Sequence, residues 1–287
     1  MLKNRIIQVR ITVVFFLIGW VSAAVATVPQ RIITLSSALT ETVYAMGYGA
    51  SIVATDVTSV SPAEAAQLPR VSKNRSVSTE GLMAYRPDLI LAPAGDVPAG
   101  IMSQLKSAGI RVVEIKQEFS EKGAIRYIDA VAQALHADDK GKELIAKVQR
   151  ELQAVKDAVA KKADGKKAKV LFIYARGTGT MSVAGKGSSL DAIITLAGAR
   201  NAVQEFADFK PYTTESLVKA NPDVILLFDF GLSSLGGKDA ILKMPGVRTT
   251  EAGKHKRIIQ MNGPLLINFS TRLPEAIIKL NSLIYEK

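Results

Sequence analysis

Cysteine and histidine, which commonly act as nucleophiles or metal ligands, are absent or scarce in this 287-residue chain. It has no cysteine, which excludes disulfides, thiolate metal sites and cysteine nucleophiles. The two histidines, His136 in ALHADDKG and His255 in GKHKR, lie in charged, turn-like contexts and are expected at the surface, so a zinc or manganese site of the usual kind is poorly supported. The glycine-rich RGTGT at 176–180 is neither a dinucleotide nor a phosphate-loop fingerprint. An enzyme is therefore the weaker interpretation, and a binding protein the stronger one.

Two glutamates stand in a phrase that the chain uses twice. TEGLMAYRPDLIL (79–91) and TESLVKANPDVIL (214–226) are identical at seven of thirteen positions, among them Glu80 and Glu215. In each copy, Thr-Glu before an apolar i, i+3, i+4 pattern predicts the start of a helix, where the positive end of the helix dipole stabilises an acid. The proline then ends the helix, and the apolar run after Pro-Asp is typical of a parallel strand buried on both faces. The repeat predicts two similar α/β units.

A long charged segment separates the two units. DDKGKELIAKVQRELQAVKDAVAKKADG (138–165) carries apolar residues at helical spacing and has no glycine or proline in its central part. We interpret it as one linker helix between an N-terminal lobe at 29–137 and a C-terminal lobe at 168–287. The predicted fold is α/β, with two Rossmann-like lobes that contain central parallel sheets and are joined by this single helix. A ligand is expected in the cleft between the lobes.

The N-terminus indicates the compartment. Three cations in MLKNRIIQVR precede a short apolar stretch that ends in an Ala-x-Ala site at 24–26, which is typical of a cleavable secretory signal peptide over 1–26. The stretch is short for a spanning helix, which needs about 20 apolar residues. Because the chain has no cysteine to carry a lipid, we expect a freely diffusing periplasmic protein, not a lipoprotein, and we expect a monomer.

The chain is basic. Loss of the three signal-peptide cations takes the formal net charge from +11 to +8. Part of this charge lies in KKADGKKAK (161–169), which we interpret as a solvated helix end and loop. Nucleic acid is not expected as a partner outside the cytoplasm, so an anionic ligand or a membrane surface suits this field better.

Three longer segments resemble a known family. They are 78–115 (STEGLMAYRPDLILAPAGDVPAGIMSQLKSAGIRVVEI), 184–203 (AGKGSSLDAIITLAGARNAV) and 234–277. They are similar to the periplasmic substrate-binding proteins of ABC importers with a single helical linker, which carry vitamin B12, ferric siderophores or haem, and most of all to the haem branch. The resemblance covers nearly the whole mature chain. It implies that haem b (hemin) is the transported ligand and that the protein has no catalytic cofactor.

The resemblance also implies a role for the repeated glutamates. In this family a glutamate on each lobe docks with arginines of the importer's permease, and Glu80 and Glu215 occupy the matching positions. The alternative is that both are only acids at a helix start, and the two roles are compatible. The resemblance thus predicts a permease dimer at the inner membrane as the partner, with an outer-membrane haem receptor upstream.

The expected haem ligands are missing from their family positions. The resemblance places an iron-binding tyrosine where this chain has Lys73, in SKNRSVSTEG, and a histidine where it has Arg176. Three hypotheses follow. The amine of Lys73 could bind iron, or Lys73, Arg75 and Arg176 could hold the haem propionates while Tyr174 or Tyr212 binds iron as a phenolate. The third is that the scaffold binds another ligand.

The predicted function is capture of haem in the periplasm and delivery to an inner-membrane ABC importer. The alternatives are a corrinoid or ferric siderophore as ligand on the same scaffold, or, in a different class, an enzyme or a ligand-dependent sensor.

Overall fold

A computed structural model provides the structure. It describes residues 28–74, 76–162, 167–175 and 182–286. Four features of the sequence prediction lie outside these residues: the signal peptide at 1–26, Arg75, the last part of the linker segment at 163–165, and Arg176.

The first half of the chain alternates strands and helices around one sheet. Its elements, in order, are β1 (Ile32–Thr34), α1 (Ser37–Ala45), β2 (Ile52–Thr55), α2 (Ala63–Ala66), α3 (Thr79–Met83), β3 (Leu89–Pro93), α4 (Ala99–Ser107), β4 (Arg111–Ile115) and α5 (Glu121–Leu135). The strands pair in the order β2-β1-β3-β4, and all of these pairings are parallel. Helices must therefore carry the chain back between strands, and the central strands β1 and β3 are almost wholly buried.

The second half begins after the long helix α6 (Asp138–Lys162). Its elements are β5 (Lys169–Tyr174), β6 (Ser182–Ala184), α7 (Ser189–Leu196), β7 (Arg200–Asn201), β8 (Phe209–Pro211), α8 (Thr214–Ala220), β9 (Val224–Phe228), α9 (Asp229–Ser234), α10 (Lys238–Leu242), α11 (Glu251–Lys254), β10 (Ile258–Met261), α12 (Gly263–Ile267) and α13 (Leu273–Tyr285). The sheet order is β10-β9-β5-β6-β8, with β7 also paired to β5.

The second sheet adds a feature that the sequence analysis does not include. Strands β10, β9, β5 and β7 are parallel, as expected for a central parallel sheet. Strand β6 runs antiparallel to both β5 and β8. The α/β fold with two lobes and a long connecting helix is confirmed, and this lobe carries a short antiparallel extension at one side of its parallel core.

The repeated phrase forms the same unit in both lobes. Ser78 and Thr213 accept hydrogen bonds from the third backbone N–H beyond them, and so cap α3 and α8. The repeated aspartates then join each following strand to its neighbour. Asp88 accepts from the backbone N–H of Gln30 at 2.8 Å, just before β1. Asp223 accepts from the backbone N–H of Lys169 at 2.7 Å, at the start of β5.

Helix α6 connects the two lobes through an apolar face. Its first turn carries Asp138 and Asp139, which suit the positive end of the helix dipole. Leu144, Val148 and Leu152 are buried in one hydrophobic cluster that also contains side chains of α5 and α13. The apolar face of α6 therefore packs on α5 of the first lobe and on α13 of the second lobe, while its other face is charged. The lobe boundaries at 29–137 and 168–287 stay a prediction.

None of the helices in the described part of the chain is long and apolar enough to cross a bilayer.

Candidate functional site

The segment after the carboxyl end of β4 in the first lobe contacts residues 267–269 of the second lobe. Gln117 follows β4, and its side chain donates to the backbone carbonyl oxygens of Asn268 and, at 3.4 Å, of Ile267. The rings of Phe119 and Phe269 pack edge to face with centroids 5.4 Å apart. In open α/β sheets, ligands bind outside the carboxyl ends of the strands. The space between these two edges is therefore the candidate site, with the contacts around Asn268 at its base.

A buried carboxylate adds contacts between the two lobes at the bottom of the cleft. Glu41, on α1 of the first lobe, is 4% exposed. It accepts hydrogen bonds from the Asn268 side-chain amide at 3.1 Å and from Arg272 at 3.4 Å, both in the second lobe. The same guanidinium group donates to the Ser61 hydroxyl at 3.3 Å. Burial raises the pKa of Glu41, while the hydrogen bond from Asn268 and the charge of Arg272 act in the opposite direction.

Three aromatic rings form one wall of the site. Tyr174 ends β5, Phe228 ends β9, and Phe230 lies at the start of α9. The Tyr174 ring lies 6.1 Å from the Phe228 ring and 6.2 Å from the Phe230 ring, and the two phenylalanine rings are 5.3 Å apart. Phe230 is 43% exposed although it belongs to this cluster. These rings offer a partly uncovered apolar surface of the kind that a flat macrocycle can cover.

The first lobe supplies exposed apolar groups at its own carboxyl edge. Phe119 follows β4 and is 42% exposed, and Val60 follows β2 and is 50% exposed. These groups and the aromatic wall lie at the carboxyl edges of the two sheets, which contact each other through Gln117, Phe119 and residues 267–269. The sequence analysis does not identify Phe119, Phe228 or Phe230. The signal is present in FDF at 228–230, where aromatic residues continue past the apolar run that forms β9.

Tyr174 is the better placed of the two candidate phenols. It is half-buried and packs on the hydrophobic cluster that contains Phe172 and Phe228. Among the described residues, none is hydrogen-bonded to its hydroxyl group. A phenol at the end of a central strand, beside the exposed Phe230 ring, could face a ligand in the cleft.

Tyr212 has a different environment. It packs on the cluster at the other face of the second sheet, with its ring 6.3 Å from the Phe206 ring. Its hydroxyl group donates to Glu205 at 2.9 Å. Burial, followed by this hydrogen bond and the charge of Glu205, raises the pKa of Tyr212 far above its usual value. The structure therefore does not bring the two tyrosines together, and it disfavours the phenolate form of Tyr212.

Lys73 lies at the carboxyl edge of the first sheet. The segment that leads to it pairs with the end of β2 through a bridge between Thr55 and Arg70. Lys73 is exposed, and its neighbour Asn74 accepts a hydrogen bond from the backbone N–H of Ser76 at 2.9 Å. An exposed cation at this edge could reach an anionic group at the mouth of the cleft. Its partners in the propionate hypothesis, Arg75 and Arg176, lie outside the described residues.

Glu80 and Glu215 hold equivalent places in their lobes. Each is exposed and stands in the first turn of a short helix that leads into a central strand. These helices run antiparallel to the strands that follow them, so their first turns lie toward the carboxyl edge of each sheet. The cleft lies at the same edge. Both side chains therefore stand on the side of the molecule that opens onto the cleft.

The described residues hold no group of three or more His, Asp or Glu side chains that could bind a metal ion. A recess of about 760 Å³ lies elsewhere, at the amino end of β10, and is lined by acids and bases together, including Asp223, Lys256 and Arg257. Its mixed charge specifies no ligand. The cleft with its aromatic wall stays the candidate site.

The fold and the site define an extracytoplasmic substrate-binding protein with two lobes and a helical linker. The chain belongs to the periplasmic binding protein family, which it matches over residues 32–265. This is a family of binding proteins, not of enzymes.

Solved structures and curated relatives agree on this class but differ in ligand. The structure is similar to the periplasmic heme-binding protein BhuT in complex with two hemes, with a TM-score of 0.85, 37% identity, and coverage of 89% of this chain and 98% of that one. It is also similar to the periplasmic heme-binding protein HutB of Vibrio cholerae, with a TM-score of 0.80, 32% identity, and coverage of 89% and 99%.

Among curated proteins, an uncharacterized ABC transporter substrate-binding lipoprotein of Bacillus subtilis, YvrC, is 27% identical over 90% of this chain and 80% of its own length. A vitamin B12-binding protein of Vibrio campbellii is 26% identical over 72% of this chain and 74% of its own length. The chain is thus a substrate-binding protein of the ABC-importer type.

Proposed function

We propose that this protein captures haem in its cleft and delivers it to an inner-membrane ABC importer. The observation that carries the proposal is the aromatic wall of Tyr174, Phe228 and Phe230, together with the exposed Phe119 at the carboxyl edge of the first sheet. A porphyrin presents two flat apolar faces, which such rings can cover. The solved structures with 37% and 32% identity, both named as heme-binding proteins, support the same ligand.

Tyr174 is the proposed iron ligand. A phenolate is a hard anion that suits ferric iron, and the hydroxyl group of Tyr174 is not engaged by any described residue, whereas that of Tyr212 is bound to Glu205. Lys73, Arg75 and Arg176 are the proposed ligands of the propionates. In the sequence, Arg75 is two residues after Lys73 and Arg176 is two residues after Tyr174. Charge-assisted hydrogen bonds to these carboxylates would orient the macrocycle with its polar edge outward.

Delivery depends on the repeated glutamates. Glu80 and Glu215 are exposed, equivalent in the two lobes, and located toward the edge where the cleft opens. A permease made of two similar subunits can bind both at once. The importer's ATPase supplies the energy, so the carrier itself needs no hydrolytic activity. The predicted signal peptide at 1–26 and the lack of cysteine support a carrier that diffuses freely in the periplasm.

A titration of the purified mature protein separates haem from its nearest alternative. Hemin, cobalamin and a ferric siderophore are each added while absorption is recorded. The proposal predicts saturable binding of hemin with a charge-transfer band typical of a phenolate ligand, and much weaker binding of the other two. The vitamin B12-binding relatives make a corrinoid the second candidate. Preferential binding of cobalamin would show that the ligand is a corrinoid and not haem.

A further inference from the structure

Large apolar side chains are exposed at few positions in the described residues. The six are Val60, Met83, Phe119, Phe209, Val218 and Phe230. Val60, Phe119 and Phe230 follow the carboxyl ends of strands and belong to the cleft. Phe209 packs edge to face on Phe172, with ring centroids 6.2 Å apart. Met83 and Val218 are left, 40% and 43% exposed, and neither lies in the cleft wall described above.

These two residues occupy the same position of the repeated phrase. Met83 stands three residues after Glu80, and Val218 stands three residues after Glu215. Side chains at i and i+3 lie on the same face of a helix. Each lobe therefore presents an acid and an apolar group side by side, and it does so on the helix that leads into its central strand.

Neither residue is the buried core residue of its helix. In α3 the buried residue is Leu82, and in α8 it is Leu217. The next position is partly exposed in both lobes, although the Val218 side chain also lies against Gly246. A single exposed apolar side chain is ordinary. The recurrence of such a side chain beside an acid, at equivalent places in two lobes of different sequence, points to contact with a partner.

We propose that each lobe docks through a two-part contact: Glu80 with Met83 in one lobe, and Glu215 with Val218 in the other. The fitting partner has two similar subunits, each of which presents a cation beside an apolar recess. The permease dimer of the importer has this symmetry. The inference rests on the proposed function, which supplies the permease as partner.

The two parts of the contact act on different rates. The glutamates are acids on a protein whose net charge, after loss of the predicted signal peptide, is +8. They therefore orient its approach to a cationic partner and affect mainly the association rate. The apolar groups lose water only in the complex, so they affect mainly the dissociation rate.

The experiment measures binding of the hemin-loaded protein to its importer, permease and ATPase together, in lipid nanodiscs. The variant Met83→Ser/Val218→Ser should raise the dissociation rate at least tenfold and change the association rate less than threefold. The swap Met83→Val/Val218→Met keeps both groups apolar and should bind within about threefold of the wild type. Glu80→Gln/Glu215→Gln should lower the association rate and remove most of its salt dependence.

Three results would overturn the inference. The first is a serine variant that dissociates at the wild-type rate while the glutamine variant is impaired, because docking would then depend on the acids alone. The second is a swap variant that is as weak as the serine variant. The third is a wild-type protein that dimerises in solution through these residues, as shown by light scattering of the wild type and of the serine variant. Failure of the proposed function is seen separately, as a wild-type protein that does not bind hemin.

Discussion

Phe230 gives the sharpest test of the aromatic wall. It packs against Phe228 and Tyr174, yet 43% of it is exposed. A haem in the cleft should cover this exposed part. For a phenylalanine of about 200 Å², 43% is about 85 Å², and at about 25 cal/mol per Å² its burial stabilises the complex by about 2 kcal/mol. Phe230→Ala should therefore weaken hemin binding about 30-fold.

The assay is transfer of hemin from the loaded protein to an excess of apomyoglobin, followed by absorption, together with a direct titration. Phe206→Ala is the matched control, because Phe206 packs against Tyr212 and the cluster at the opposite face of the second sheet. We expect the control to bind hemin within threefold of the wild type. If Phe230→Ala does so as well, with an unchanged Tm, the aromatic wall does not contact the ligand and the argument from exposed rings is refuted.

The remaining predictions concern the iron ligand, the propionates and the base of the cleft. Tyr174→Phe should abolish the phenolate charge-transfer band of bound hemin while Tyr212→Phe preserves it, and absorption spectra of both loaded variants decide the matter; the opposite pattern would move the iron to Tyr212. Lys73→Ala should weaken hemin binding about tenfold to a hundredfold, the effect of a lost charge-assisted hydrogen bond, without change in the visible spectrum; a lost axial-ligand signature with unchanged affinity would make the lysine amine the iron ligand. Glu41 has a raised pKa in the folded state, so its contribution to stability is fully present below its ordinary pKa of 4.5 and is lost as the pH rises through the raised value. The Tm of the wild type relative to Glu41→Gln should therefore fall over that range in thermal melts at a series of pH values, and a difference that does not vary with pH would show that Glu41 titrates normally.

The sequence predicts those parts of the fold that depend on local patterns. Because the repeated phrase contains a helix cap, a proline stop and a buried apolar run, it predicts the helix and strand at 79–91 and again at 214–226. The linker helix follows from apolar spacing alone. The antiparallel strand β6 (Ser182–Ala184) is missed, since three residues after a glycine-rich stretch carry too little pattern to identify a strand.

The site is less predictable because its parts come together only in the folded chain. Glu41 and Asn268 are 227 positions apart, and no local signal relates them. Tyr174 and Tyr212 are equivalent as sequence candidates, but they pack on opposite faces of the second sheet, and Glu205 binds the Tyr212 hydroxyl group. Phe228 lies against Tyr174 because β9 pairs with β5, and the turn into α9 then brings the Phe230 ring to the same place.

The central claim is that the cleft carries haem, and the most direct test is to identify the ligand that the native protein holds. The full-length chain is expressed with its own N-terminus in cells supplied with both haem and cobalamin, the mature protein is purified from the periplasmic fraction, and its bound ligand is identified by absorption and mass spectrometry. The account predicts protohaem in the wild type and a reduced haem content in Phe230→Ala. A corrinoid in the cleft, or wild-type protein without haem under these conditions, would contradict it.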